Sequence, residues 1–345
     1  MKAIKRIIIW SATALLIESI VFFALDRYYK FSLLDTKTTE VKIVEKKKPI
    51  KNIDIYIPYD STNVNVSYDG KYISYYENNE FLVINTNDGT KHNINADKNS
   101  SEVYNRWLPD IDSMILCEEP MKRTSVVKFY TYNADNNIKQ APTDTHNNGI
   151  ELELNSAKDK IEDIELSTAM GSFYVKTLKN NNDNDIFFND VNGETTSIFN
   201  SYNIGTIKIF KSKPGLVYED LDNQVIKSTE TEKTLYKGSA RLLNTDNSNN
   251  IYIGITDNDS ITKILYGATE KTVSQWSSIN LDTPVDKNNI YVTDEGKIYI
   301  NNTSEHYISE KIASKKIDYS GTLLKITSKE IIYLDNGKLL KKNIN

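Results

Sequence analysis

From Asn52 to the C-terminus, short apolar runs alternate with polar residues at a period of two and break at Asn, Asp or Gly. Asn52-Ile-Asp-Ile-Tyr-Ile57 alternates strictly and stops at Pro58. Lys71-Tyr-Ile-Ser-Tyr-Tyr76 and Glu80-Phe-Leu-Val-Ile-Asn85 follow, separated by Asn78-Asn79, and Asp257-Asn258-Asp259 divides two later runs. A period of two puts successive side chains on opposite faces of a strand. Asn, Asp and Gly tolerate the left-handed backbone of a tight hairpin. Similar runs lie at 90–94, 113–117, 126–132, 173–178, 185–189, 206–210, 216–220, 251–256, 261–266, 290–293, 297–301, 323–327 and 330–334. Short strands at this spacing define an all-β chain: a sandwich, a barrel or a propeller.

Repetition selects among these. Val66-Ser-Tyr-Asp-Gly70-Lys-Tyr-Ile, then Phe81-Leu-Val-Ile-Asn85, then Asp88-Gly89 makes one unit. Ile317-Asp-Tyr-Ser-Gly321-Thr-Leu-Leu-Lys-Ile, then Ile331-Ile-Tyr-Leu-Asp335, then Asn336-Gly337 makes another. Shorter copies are Ile186-Phe-Phe-Asn-Asp-Val-Asn-Gly193 and Thr293-Asp-Glu-Gly296-Lys-Ile-Tyr-Ile, and Trp107-Leu-Pro-Asp110 opens a further unit. A period of about 40–45 residues with four strands per unit is the propeller pattern. The expectation is an all-β propeller of about seven four-stranded blades over residues 52–345, with six and eight open. The Ser-x-Asp-Gly and Trp-x-Pro-Asp pieces resemble bacterial TolB-like and WD40-like propellers, the style of the dipeptidyl-peptidase-IV-type propeller. That resemblance implies a fold and no activity. A ring also needs closing: Asn52–Ile57 is expected to complete the last blade, built from 317–344, and so remove an exposed edge.

Ahead of the repeats, residues 7–25 are one apolar run behind Lys2, Lys5 and Arg6. A membrane-spanning helix needs roughly 20 such residues, and basic residues stay cytoplasmic. The expected organisation is a cytoplasmic tail (1–6), a transmembrane signal anchor (7–25), a stalk (26–51) and an extracytoplasmic propeller, at a bacterial cell membrane. A cleaved signal peptide is the rival, although Phe22-Phe-Ala-Leu-Asp26 is a poor cleavage site. Ser11, Ala14 and Glu18 share one helical face, which suits a helix–helix contact in lipid; Glu18 is equally read as a protonated passenger.

Chemistry is hard to find. Net charge is −5, so nucleic acid is not expected as a partner. Cys117 is the only cysteine, which excludes an intramolecular disulfide and a thiolate zinc site; it reads as a buried apolar residue. His92, His146 and His306 show no ligand spacing and read as loop residues. Gly171-Ser172 and Gly238-Ser239 lack the flanks of a nucleophile elbow. No cofactor is expected. Calcium is the one candidate, at 180–185 and 190–193, where oxygen-rich residues lack EF-hand spacing and suit turns equally well. These observations favour a non-enzymatic binding module for a protein, peptide or cell-envelope glycan. Two alternatives stand: an envelope lyase or hydrolase with carboxylates in the propeller channel, and a sensor signalling through Glu18.

Overall fold

The computed structural model describes residues 54–344, apart from 123, 124 and 232, together with Trp10, Glu18 and Phe22. It divides into two units, Met1–Lys51 and Asn52–Asn345. In the first, Trp10, Glu18 and Phe22 are helical and exposed. The rest of the expected tail, anchor and stalk, Ser11 and Ala14 included, lies outside the described residues. Among the described residues no helix is long and apolar enough to cross a membrane.

In the second unit the described residues form seven antiparallel sheets, each built from consecutive strands. These are blades 1 to 7, over residues 62–93, 100–153, 160–202, 204–237, 240–285, 290–318 and 322–343. Blades 1 and 3 to 6 have four strands. In blade 2 the outer position is shared by two short strands, Ile138–Gln140 and Glu151–Glu153. Blade 7 supplies three strands itself, and residues 55–57 add the fourth. Tyr56 bridges Lys338, Ile57 N–H donates to the Gly337 carbonyl at 2.8 Å, and Leu339 N–H donates to that of Ile55 at 2.8 Å. The expected closure is therefore present at residues 55–57, while 52 and 53 of the expected closing segment lie outside the described residues.

Turn chemistry follows the sequence. Asn78-Asn79, Asn258-Asp259 and Asn336-Gly337 have positive φ at both residues, the geometry of two-residue hairpin turns. In each case the turn joins a second strand to a third, or its equivalent in blade 7.

The repeat register differs from the sequence reading. Gly70 turns between the first and second strands of blade 1, whereas Gly321 precedes the first strand of blade 7. The two clearest copies are thus offset by one strand. Lys315–Asp318 is the outer strand of blade 6 and not part of the last blade. The physical reason is that a turn serves any pair of adjacent antiparallel strands, so its residues carry no rank within the blade. Gly321 has φ +70 and room for no side chain: a Cβ there would lie 2.0 Å from the Leu334 carbonyl oxygen.

Seven apolar clusters fill the gaps between successive blades. Tyr72, Phe81 and Val83 of blade 1 meet Trp107, Met114 and Tyr132 of blade 2, and the pattern repeats around the ring. The closing cluster joins Ile55, Ile57, Ile73 and Tyr75 to Ile332. Each blade thereby buries both faces, and each fully buried Ile or Leu stabilises by roughly 1.5–3 kcal/mol. Cys117 is among these buried residues, as expected, and burial raises its thiol pKa well above the ordinary value.

Candidate functional site

The first strand of every blade runs along the axis. These strands are Thr62–Val66, Ser100–Trp107, Lys160–Ser167, Ile204–Ile209, Ala240–Thr245, Ile290–Val292 and Thr322–Ile326. Their C-terminal ends surround a funnel of about 730 Å³. The penultimate residue of each strand lines it, giving a ring of Asn65, Arg106, Leu166, Lys208, Asn244, Tyr291 and Lys325. Lys211, Asp294 and Glu295 lie on the same wall, and Tyr68, Thr327 and Ser328 belong to the turns at its mouth.

Most of the charge is internally matched. Arg106 bonds Asp163 through one guanidinium nitrogen and Glu165 at 2.8 Å through the other, and Lys208 also bonds Glu165. Lys211 pairs with Asp294 at 3.0 Å. Burial by itself would push the Glu165 carboxyl up, but the charges of Arg106 and Lys208 hold it down at about 2. Glu165 is therefore a fixed anion, unable to act as a general acid near neutrality.

Lys325 is different. Its ammonium donates to the Val66 carbonyl at 3.0 Å and forms no ion pair among the described residues. Burial pushes its pKa down to about 8, although Asp294 and Asp69 pull the other way. Its folded-state value thus lies below its unfolded value. The penalty for burying the charge is fully present below about pH 8 and is relieved as pH rises toward the unfolded value. Lys325→Met is accordingly expected to stabilise the propeller at pH 7 by about 1–3 kcal/mol, and by much less at pH 10. Urea unfolding at both pH values would check this; destabilisation at pH 7 would contradict it.

Two further polar groups adjoin the funnel. Asn105 lines it while 9% exposed; its amide N–H groups reach Glu102 at 2.8 Å and Tyr76 Oη at 3.3 Å, and its Oδ1 has no partner. Burial pushes Glu102 up to about 7, against the hydrogen bonds from Tyr76 and Asn105. Nearby, burial and then the Asp69 charge push Asp112 up to about 6, while the Ser67 hydroxyl donates to Asp69 at 3.1 Å.

The residues singled out in the sequence fall elsewhere. His146 and His306 are exposed turn residues, while His92 sits half-buried in the outer strand Lys91–Asn93 and not in a loop. Asp190 accepts N–H bonds from Asn192 and Glu194, both at 2.9 Å, and Asp183 pairs with Asn181 at 2.7 Å. Turn bonding accounts for these oxygens. Asp185 is buried and takes bonds from Asn155, Lys179 and Ser201. Glu18 belongs to the other unit. None of the funnel charges was singled out, because they come from five different repeats. A charged residue one place before the end of an apolar run, as in Thr206-Ile-Lys-Ile209 and Leu323-Leu-Lys-Ile326, was the available signal.

No protein-family model matches the chain, and no curated protein is similar to it in sequence. Solved structures match its shape. A chain of the mitotic checkpoint complex does so with a TM-score of 0.52 at 10% identity, covering 81% of this chain and 88% of that one. The β-propeller domain of Myceliophteria thermophila Cps50 (Swd1) also has a TM-score of 0.52 at 10% identity, covering 85% and 100%. At that identity the likeness is one of fold. The chain is a seven-bladed β-propeller.

Proposed function

We propose that this protein is a binding module whose ligand docks at the axial funnel. The fuller reading is a TolB-like bacterial propeller held outside the cell membrane by the anchor at 7–25, with a protein, peptide or envelope glycan as partner. WD40-like propellers are typically interaction modules, and the matched structures include a chain taken from a protein complex. The observation that carries the reading is the funnel itself. Seven strands converge on an open polar cavity whose buried carboxylate, Glu165, is locked by two cations, while one lysine is left without a counter-charge. That suits holding a ligand better than moving a proton.

A photo-crosslinking residue in place of Tyr68, at the funnel mouth, should capture a partner in intact membranes. The same residue at Met121, in the exposed turn between the second and third strands of blade 2, should not. Capture from Met121 alone, or from neither, would count against the funnel. Because Cys117 is buried, Ser328→Cys should be the site labelled by a membrane-impermeant maleimide on whole cells. Labelling only after lysis would refute the extracytoplasmic placement.

A further inference from the structure

We propose that the funnel takes an acidic peptide segment whose carboxylate seats on Lys325. This rests on the funnel being the binding site, and it names the ligand's chemistry.

The first argument is charge. Arg106, Lys208 and Lys211 already have carboxylate partners in Asp163, Glu165 and Asp294. Lys325 has only a carbonyl oxygen. Asp294, Asp69 and Asp112 lie near enough to pull its pKa up, yet burial and Arg106 outweigh them. A desolvated ammonium without an ion pair gains most from an incoming carboxylate, because the desolvation cost is already present in the free protein.

The second argument is hydrogen bonding. Asn65 directs its amide N–H groups to Asn63, at 3.1 and 2.9 Å, and Asn244 directs its own to Val292 at 2.7 Å. Neither amide oxygen accepts a bond from a described residue, and the buried Asn105 Oδ1 is likewise without a donor. The cavity therefore offers acceptors in excess, which is what a run of peptide N–H groups requires.

The third argument separates a peptide from an acidic sugar. Sugar binding relies on an open aromatic face. Of the four aromatic residues lining the funnel, Trp107 is buried, stacked against Tyr72 at 6.1 Å, and donates its ring N–H to Ser74. Tyr104 donates to Asp163 at 3.2 Å, and Tyr291 packs into the core between blades 6 and 7. Only Tyr68 is exposed. Amides and charged groups, not open ring faces, make up the polar part of the wall.

The test is calorimetry on the full-length protein in detergent with three peptides. They are an amidated Gly-Glu repeat, the amidated Gly-Gln repeat, and the Gly-Gln repeat with a free C-terminus. Saturable binding of the Glu peptide is expected, at least tenfold weaker for the Gln amide and at least tenfold weaker in Lys325→Met. Lys160→Met, at the exposed far end of the first strand of blade 3 and away from the funnel lining, should stay within threefold of the native protein. Affinity should fall as pH rises past about 8, since the carboxylate needs the protonated amine. If the free-acid Gln peptide binds as well as the Glu peptide, the carboxylate is a chain end; if only the Glu peptide binds, it is a side chain. Equal binding by the Gln amide, insensitivity to Lys325→Met, no saturable binding, or tighter binding of a galacturonate oligomer would each overturn the proposal. A partner captured from the Tyr68 position would leave the docking site standing even then, so the two failures are separable.

Discussion

Ile57→Asp is expected to open the ring, with a loss of about 4–6 kcal/mol. Ile57 is 2% exposed and packs with Ile55, Tyr75 and Ile332, while its N–H bonds the Gly337 carbonyl. Removing a buried Ile side chain costs about 2–5 kcal/mol, and burying an unpaired carboxylate adds several more unless the strand detaches. Detachment is the cheaper outcome. It bares the edge of Lys338–Asn343 and the apolar faces of Leu334 and Leu339, an unpaired edge of the kind that templates association. Folded stability is usually only about 5–15 kcal/mol, so this one contact decides much of it. The adjacent Tyr56 points the other way and is 60% exposed, so Tyr56→Ser should change stability by less than about 1 kcal/mol. Urea unfolding with size-exclusion chromatography measures both. An Ile57→Asp midpoint close to native would mean that residues 55–57 do not close the ring.

Arg106→Ala should cost about 1–3 kcal/mol at pH 7, less than the range for breaking a fully buried pair, because Arg106 is partly exposed and Glu165 keeps Lys208. It strips Glu165, whose side chain is 5% exposed, of one of its two cations, and it leaves Asp163 without its guanidinium. Adding Asp163→Asn to Arg106→Ala should recover part of the loss, because the anion left without its guanidinium goes with it. The acid response has a definite sign. Glu165 titrates at about 2 in the folded state, below the ordinary carboxylate value. The stability it contributes is present above that ordinary value and is lost as pH falls toward 2. The native protein should therefore lose stability between about pH 4.5 and 2, and Arg106→Ala should lose less over the same window, having less to lose. Equal slopes for the two proteins would show that Glu165 is not held by Arg106.

The two kinds of strand differ in how legible they are. Strands such as Tyr72–Glu77 and Glu80–Asn85 pack between blades, so their apolar content is plain from the residues alone. Lys160–Ser167 reads Lys-Ile-Glu-Asp-Ile-Glu-Leu-Ser and shows no strand signal, because Asp163 and Glu165 are neutralised by Arg106 and Lys208 from neighbouring blades and Glu162 by Lys176 of its own. Thr195–Tyr202 was missed for another reason: it is an outer strand, mostly exposed, with no apolar face to keep. The closing strand was legible because Ile53, Ile55 and Ile57 alternate with polar residues and have no partner nearby in the chain.

What the residues determined unaided was everything local: short β-strands, two-residue turns at Asn-Asn, Asn-Asp and Asn-Gly, a repeating unit, and a chain end that had to pair with its opposite end. Period-two burial and left-handed turn geometry act over a few residues, so they are written in the order of the chain. Only the tertiary structure decided the rank of each strand within its blade, and only it brought Arg106, Glu165, Lys208 and Lys325 to one axis. Those side chains are separated by tens to hundreds of residues, and their charges acquire meaning only through distances of a few ångströms across the ring. Ion pairing falls off with distance in space, and the order of residues along a chain does not encode that distance.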